Sequence, residues 1–134
     1  MSTCGMMIHK DLYHSFGGWP ESLGIYGGGE NFINYVLSIL GKKKLISKGD
    51  PLCHHGTKRD YHWNYTDHLR NRGIASYMVG GTVLLDRLIN AAGGRPEVKE
   101  VIRDDIIENC MEQRGLIAKK QVMNISHWIY KWRD

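Results

Sequence analysis

Three consecutive glycines stand directly before a carboxylate and an amide in the segment Tyr26-Gly27-Gly28-Gly29-Glu30-Asn31. Because glycine has no Cβ atom, the backbone can turn sharply in this segment and a bulky ligand can approach it closely. The segment leads into a predicted helix, whose N-terminus favours a negative group, either Glu30 itself or an anion carried by a ligand. We interpret it as a loop that binds substrate. The alternative is a flexible turn before a capped helix, with Glu30 interacting with the helix dipole.

A pair of histidines, His54 and His55, follows Glu30 by about twenty-five residues. The predicted elements between them are one helix and one strand. We therefore expect the carboxylate at a helix start and the imidazoles at a strand end to lie at the same edge of a sheet, where ligands of α/β proteins bind. Imidazole is a suitable ligand for manganese or zinc, and a carboxylate can act as a general base.

The same histidines belong to a local cluster with Cys53, His62 and His68. Such a cluster could hold zinc, and its spacing superficially resembles that of metal nucleases built on two strands and a helix. The spacing is compressed, however, and no acidic residue adjoins the first two histidines. The competing interpretation is a polar loop in which His62 and His68 are exposed to solvent.

Aromatic residues in the predicted loops form a third set with possible chemistry. In a loop, such side chains can stack on sugar rings or bases, whereas in a helix they usually belong to the core. We therefore interpret the aromatic residues of the C-terminal helix as packing residues. The loop aromatics are Trp19, Tyr26, Tyr61, Trp63 and Tyr65.

Composition limits the class of protein. The chain has 134 residues, of which 42% are hydrophobic and 24% are charged, as in ordinary globular proteins. Its formal charge of +4, with lysine and arginine concentrated at 42–44 and 58–59, suits a phosphate-bearing ligand but is too small to indicate nucleic-acid binding. The three cysteines are widely spaced and include no CxxC pair, which indicates reduced thiols rather than a disulfide framework.

Targeting signals are not evident in the sequence. No apolar run is long enough to cross a membrane, and the first eight residues lack the basic and apolar regions of a secretory signal. We therefore expect a cytoplasmic protein without a transmembrane segment. The small net charge given above also leads us to expect no nucleic acid as a partner.

Apolar spacing, together with glycine and proline, predicts a mixture of helices and short strands. The clearest helix covers 31–40 and ends at Gly41. A polar and aromatic loop after His55 leads into a short helix that ends near Gly73. The other predicted elements are strands at 4–8, 44–46 and 51–54, and helices at 9–16, at 77–92, from Pro96 to a break at Gly115, and at 122–132.

These elements indicate one compact domain of the α/β class, mixed but mostly helical. Its first part, residues 1–56, contains the glycine loop, the first helices and the strands. Its second part, residues 57–134, is predicted to be a lid loop followed by a helical extension.

Five features in this order resemble the C-terminal half of GT-A glycosyltransferases, most closely the family 2 enzymes and the polypeptide N-acetylgalactosaminyltransferases with their Gly-Gly-Glu-Asn or Gly-Gly-Glu-Asp motif. The resemblance covers roughly residues 3 to 56 and implies part of a GT-A fold followed by a helical bundle. The features are Cys4-Gly5-Met6-Met7-Ile8, Phe16-Gly17-Gly18-Trp19-Pro20-Glu21, Tyr26-Gly27-Gly28-Gly29-Glu30-Asn31, the helix that ends at Gly41, and the strand that ends at His54-His55.

The resemblance implies transfer of a hexosyl group from a nucleotide-diphosphate sugar to a hydroxyl acceptor. Glu30 would be the acceptor-side carboxylate, a general base in an inverting enzyme or a positioning group in a retaining one. His55, with His54 as the alternate, would complete a Mn²⁺ or Mg²⁺ site that neutralises the leaving diphosphate. The implied substrate contacts are Trp19 on the acceptor side, Gly28, Gly29 and Asn31 at the donor sugar, and Lys58, Arg59, Tyr61 and Trp63 on a loop that closes over the donor.

The sequence also departs from the family pattern. Pro20 stands where an aspartate is common, and an extra glycine precedes the usual pair. No Asp-x-Asp motif occurs and the nucleotide-binding half of the family fold has no counterpart, so the chain alone is not expected to hold a nucleotide sugar in the family's way. We interpret it as a fragment of a longer enzyme, a truncated reading frame or a decayed relative. The main alternative is a non-catalytic interaction module derived from a glycosyltransferase, in which the open sheet edge left by the missing half favours self-pairing into a homo-oligomer.

Overall fold

Five helices account for the regular structure in the computed structural model, which describes residues 5–46, 48–49 and 61–131. No strand occurs among these residues. The predicted α/β fold, and with it the GT-A fold implied by the resemblance, is therefore wrong for this part of the chain. Within the same ranges, no helix is both long and apolar enough to cross a membrane. The helices are α1 (Lys10–Ser15), α2 (Gly29–Ile39), α3 (Tyr65–Ala91), α4 (Pro96–Lys120) and α5 (Ile125–Lys131).

The strand predictions that fall on described residues are both wrong. Residues 5–8 and 44–46 form no ladder, because neither segment has a neighbouring strand within the described ranges to complete the backbone hydrogen bonds of a sheet. The side chain of Lys44 instead reaches back to α2, where its Nζ donates a hydrogen bond to Ser38 Oγ at 2.9 Å. The strand predicted at 51–54 lies outside the described residues.

α2 confirms the clearest helix prediction and begins two residues earlier, at Gly29. Phe32, Val36 and Ile39 recur on one face and are completely buried, so the packing of this apolar face stabilises the helix. Gly41 follows the helix with a φ of +67°, the left-handed conformation that commonly closes a helix. The early start places Glu30 in the first turn.

α3 is much longer than predicted, because it continues through Gly73, where the sequence predicts a helix end. A Cβ atom on Gly73 would lie 2.6 Å from Ile106 Cδ1, so this glycine allows α4 to approach closely and does not end the helix. The backbone of α3 is interrupted instead at Gly81, whose φ of 61° and ψ of −155° are not helical. The helix predicted at 77–92 is thus the C-terminal part of α3.

α4 begins with Pro96, as predicted, but it runs through Gly115, where the sequence predicts a break. Cys110 and Ile117 are buried on either side of this glycine and keep the helix packed across it. A glycine within a helix costs only about 1 kcal/mol, which such packing can offset. The last predicted helix is confirmed as α5, with a later start.

The core lies between α2, α3 and α4. α3 packs most extensively against α4 and next against α2, so it forms the centre of the fold. This packing sets the start of α2 against the first turns of α3, with the glycine loop between them. Fully buried core side chains include Phe16, Phe32, Ile74, Met78 and Ile106.

Candidate functional site

A pocket of about 610 Å³ opens where the glycine loop, residues 24–29, meets the first turns of α2 and α3. Ligand sites of small molecules commonly have volumes of about 300–1,000 Å³. The pocket combines a carboxylate from Glu30, a guanidinium from Arg72 and an aromatic surface from Trp19. The lining consists of residues 23–31 together with Trp19, His68 and Arg72.

Two glycines of the loop have backbone conformations that other residues rarely adopt. Gly27 has a φ of +83° and Gly28 a φ of +80°. A Cβ atom on Gly28 would lie only 2.5 Å from the carbonyl carbon of Asn71 in α3. The close approach that the glycines permit is therefore an approach to α3, and the loop lines the pocket together with His68 and Arg72 of that helix.

Asn71 ties the glycine loop to α3 with both ends of its side-chain amide. Its Oδ1 accepts a hydrogen bond from the Gly24 N–H at 2.9 Å, and its Nδ2 donates one to the Tyr26 carbonyl at 2.6 Å. Arg70 secures the preceding residues, because its guanidinium donates to the Ser22 carbonyl at 2.5 Å and to an Asp105 carboxylate oxygen at 2.6 Å. The loop is thus attached to a rigid helix at several points.

Glu30 lies exposed in the first turn of α2, at the edge of the pocket. The N-cap residue, Gly28, has no side chain to cap the helix, and a carboxylate in the first turn complements the positive end of the helix dipole. Asn31 is half-buried beside it. Together with Gly29, these predicted site residues are brought to one pocket, as the sequence-based interpretation of a substrate-binding loop requires.

Trp19 forms the apolar wall of the pocket and is held by contacts from three helices. Its backbone N–H donates to the Tyr13 hydroxyl at 3.1 Å, and its ring lies 5.6 Å from that of Phe32. Gln113 of α4 donates a hydrogen bond at 2.9 Å to the carbonyl of Gly18, the residue that precedes Trp19. The indole is therefore positioned by three separate elements of the fold.

An aromatic cluster adjoins the pocket through Tyr26, which lines it. The ring of Trp63 lies 4.7 Å from that of Tyr26, and the rings of His68 and Tyr61 lie 5.6 and 6.4 Å from it. Trp63 keeps 47% of its surface exposed. Tyr61 and Trp63 do not line the pocket themselves, but the structure brings both predicted residues to its rim.

The two pocket residues on α3, His68 and Arg72, are not among the predicted substrate contacts, and the sequence places His68 only in the possible zinc cluster or in an exposed loop. His68 is half-buried in α3 rather than exposed in a loop, and its Nδ1 atom is buried without a hydrogen-bond partner among the described residues. Asn64 caps α3 by accepting a hydrogen bond from the Asp67 N–H at 2.9 Å. That cap is visible in the sequence as Asn followed three residues later by Asp, and the four-residue spacing then places His68 and Arg72 on one helix face.

The predicted metal ligands, His54 and His55, and the predicted phosphate contacts, Lys58 and Arg59, lie outside the described residues. Within the described ranges, no group of three histidine, cysteine, aspartate or glutamate side chains could hold a metal ion. The manganese or magnesium site and the alternative of a metal nuclease therefore stay predictions.

Comparisons with known proteins returned no match among protein-family models, curated proteins or solved structures. The resemblance to GT-A glycosyltransferases is therefore without support from a family model, and the strand-free fold of the described residues contradicts it. The physical reason is that short glycine-rich motifs specify local turns, whereas an α/β fold requires strands that pair over long distances in the sequence. The local prediction of a loop that lines a pocket does not depend on the fold class.

Proposed function

We propose that the pocket binds a phosphorylated sugar, and that Glu30 takes part in the transfer of a hexosyl group from a nucleotide-diphosphate sugar to a hydroxyl acceptor. The observation that carries this proposal is the convergence of Glu30, Arg72 and Trp19 on one pocket. They offer a proton acceptor, a cation and a flat apolar surface. A sugar phosphate can be recognised by such groups through its hydroxyls, its anionic oxygens and the apolar face of its ring.

In the proposed reaction, the Glu30 carboxylate accepts the proton of the acceptor hydroxyl while the hydroxyl oxygen forms a bond to the anomeric carbon of the hexosyl group. The bond between that carbon and the phosphate oxygen breaks, and its electron pair leaves with the nucleoside diphosphate. This course inverts the configuration at the anomeric carbon. In a retaining enzyme, Glu30 would position the acceptor hydroxyl instead.

Arg72 is the residue that we assign to the phosphate groups. Arg72 is solvent-exposed and lines the pocket together with the glycine loop, so a ligand can reach it without disturbing the core. A guanidinium can donate two parallel hydrogen bonds to phosphate oxygens, and its charge favours the growth of negative charge on a leaving diphosphate.

The aromatic rim supports a ligand with a planar or ring-shaped group. Trp63 and Tyr26 lie at an interplanar angle of 43°, and the indole is half exposed, so one ring face can stack on a base or a sugar. Stacking of this kind is worth about 1–3 kcal/mol per base. This assignment agrees with the predicted role of Trp63 in substrate binding.

A divalent metal, Mn²⁺ or Mg²⁺, belongs to the proposal because such an ion neutralises a leaving diphosphate when it is bound. The residues predicted to hold it lie outside the described part of the chain, so no step of the reaction above is derived from the metal. The cytoplasmic location likewise stays a prediction.

Thermal unfolding with and without ligand tests the binding step. The purified chain is heated with Mn²⁺ and a saturating nucleotide sugar, either uridine diphosphate glucose or guanosine diphosphate mannose. A ligand at one hundred times its dissociation constant stabilises the folded state by about 2.7 kcal/mol, which raises the midpoint by several degrees at this chain length. Arg72→Gln should remove this shift, and the matched control Arg87→Gln, an exposed arginine further along α3, should retain it.

The reaction is tested separately by the release of nucleoside diphosphate in the presence of glycan acceptors. Glu30→Gln should abolish acceptor-dependent release and lower the melting temperature by only a few degrees, because removal of a charge that complements the helix dipole costs about 0.3–1 kcal/mol. Glu100→Gln, which alters an exposed glutamate of α4, should have no effect on either quantity. Unchanged turnover in the Glu30 variant would exclude the role of this carboxylate, and the absence of a thermal shift with every nucleotide sugar would exclude the binding site.

A further inference from the structure

We propose that Asn71 is a positioning residue, which holds the glycine loop in place and thereby sets the location of Glu30 in the pocket. The inference rests on the proposed function of that pocket. Asn71 is not itself part of the pocket lining, so any effect on a ligand must pass through the loop.

Asn71 is 1% exposed, and both ends of its side-chain amide form hydrogen bonds. Its bonds to the Gly24 N–H and the Tyr26 carbonyl hold the loop backbone at two points that lie two residues apart. A side-chain amide offers an acceptor and a donor side by side in one plane. Aspartate, which is nearly identical in shape, lacks the donor when ionised, and leucine lacks both groups.

A third contact extends this attachment towards the helix. The Asn71 backbone carbonyl lies so close to Gly28 that no Cβ atom fits between them. Gly28 is the N-cap residue of α2, so the contact between Gly28 and the Asn71 carbonyl determines where the first turn of α2 begins. Glu30 lies in that turn, two residues after Gly28.

The neighbouring attachments explain why the role of Asn71 can be tested without loss of the fold. Arg70 holds Ser22 through an independent hydrogen bond, so the start of the loop stays attached when Asn71 is changed. The buried face of α2, which includes Phe32 and Val36, anchors the other end. Loss of the Asn71 amide donor should therefore release the middle of the loop.

The test uses Asn71→Asp in the full chain, with Asn90→Asp as the matched control. Asn90 is exposed near the C-terminal end of α3, so this change alters an asparagine of the same helix far from the glycine loop. In the Asn71 variant, amide hydrogens of residues 24–29 should exchange faster and their NMR shifts should move, while those of α4 and α5 should not. Affinity for uridine diphosphate glucose should fall about tenfold, because apparent affinity scales with the fraction of molecules in the competent conformation.

The outcomes separate this proposal from the proposed function. Wild-type affinity together with wild-type loop protection in Asn71→Asp would overturn the positioning role. If the wild-type chain itself binds no nucleotide sugar, the proposed function is wrong, and the exchange rates alone decide whether Asn71 holds the loop. If the variant does not fold, the wild-type chain supplies the test, since exchange of the Gly24 amide at the rate of an unprotected amide would contradict the hydrogen bond to Asn71.

Discussion

Replacement of Gly28 by alanine is the perturbation whose cost follows most directly from the structure. With a φ of +80°, an alanine at this position takes the left-handed conformation at a cost of roughly 1–2 kcal/mol. Its Cβ atom would also lie 2.5 Å from the Asn71 carbonyl carbon, whereas ordinary contacts begin at 3.4 Å. The loop must therefore move away from α3, which weakens two hydrogen bonds worth about 0.5–1.5 kcal/mol each.

These contributions together predict that Gly28→Ala lowers the free energy of unfolding by about 3 kcal/mol. For a chain of this length, that loss corresponds to a fall of roughly 10 °C in Tm. Gly115→Ala is the matched control, because among the described residues no atom beyond its own stretch of α4 lies within 4 Å of the added Cβ atom. That change should stabilise the chain by about 0.5–1 kcal/mol.

Urea denaturation followed by circular dichroism measures both free energies on the same scale. We predict that Gly28→Ala lowers the free energy of unfolding and that Gly115→Ala raises it. Equal stability of the Gly28 variant and the wild-type chain would show that the loop does not lie against α3, and would refute the reasoning on which the site rests.

Two further predictions concern groups away from the pocket. Burial raises the pKa of the Cys110 thiol above its usual 9.0. As the pH rises, the thiol therefore ionises in the unfolded state while it is still protonated in the folded state. Its contribution to stability is present below pH 9 and is lost as the pH rises through the folded-state pKa. The difference in unfolding free energy between wild type and Cys110→Val should accordingly shift against the wild type as the pH rises above about 9, and a constant difference would argue against a buried thiol. The Asp86–Arg103 pair is short, at 2.6 Å, but its side chains are 41% and 36% exposed, so Asp86→Asn should lower stability by less than about 1 kcal/mol; a larger loss in a denaturation experiment would mean that the pair is shielded from solvent.

The helices could be predicted from the sequence where local chemistry decides them. The apolar spacing of 31–40 and the glycine at its end identify α2, and Pro96 identifies the start of α4. Strands could not be predicted in this way, since Leu45 and Ile46 are suitable for a strand but remain exposed, by 85% and 93%. An extended segment becomes a strand only when a partner strand pairs with it.

The glycines inside α3 and α4 show the same limit of prediction from local sequence. Gly73 and Gly115 favour helix ends by propensity, yet both lie inside long helices. Packing of α3 against α4 explains Gly73, because a larger residue would collide with Ile106. Such a contact joins residues far apart in the sequence, so no local pattern reveals it.

The site could be predicted in part. Glu30, Trp19 and the glycine loop are recognisable from residue type and order, and all of them line the pocket. The contribution of α3 is not evident from the sequence, because Asn71 and Arg72 look like ordinary polar residues of a helix. Only the fold shows that Asn71 holds the loop and that Arg72 lines the pocket.

The most direct test of the central claim, that this pocket is a ligand site, is an NMR titration of the ¹⁵N-labelled chain with uridine diphosphate glucose and Mg²⁺. The account predicts saturable chemical-shift changes concentrated at the amides of residues 24–31 and at Arg72, and their loss in Arg72→Gln. Saturable changes confined to other parts of the chain, or no change with this and other nucleotide sugars, would contradict it.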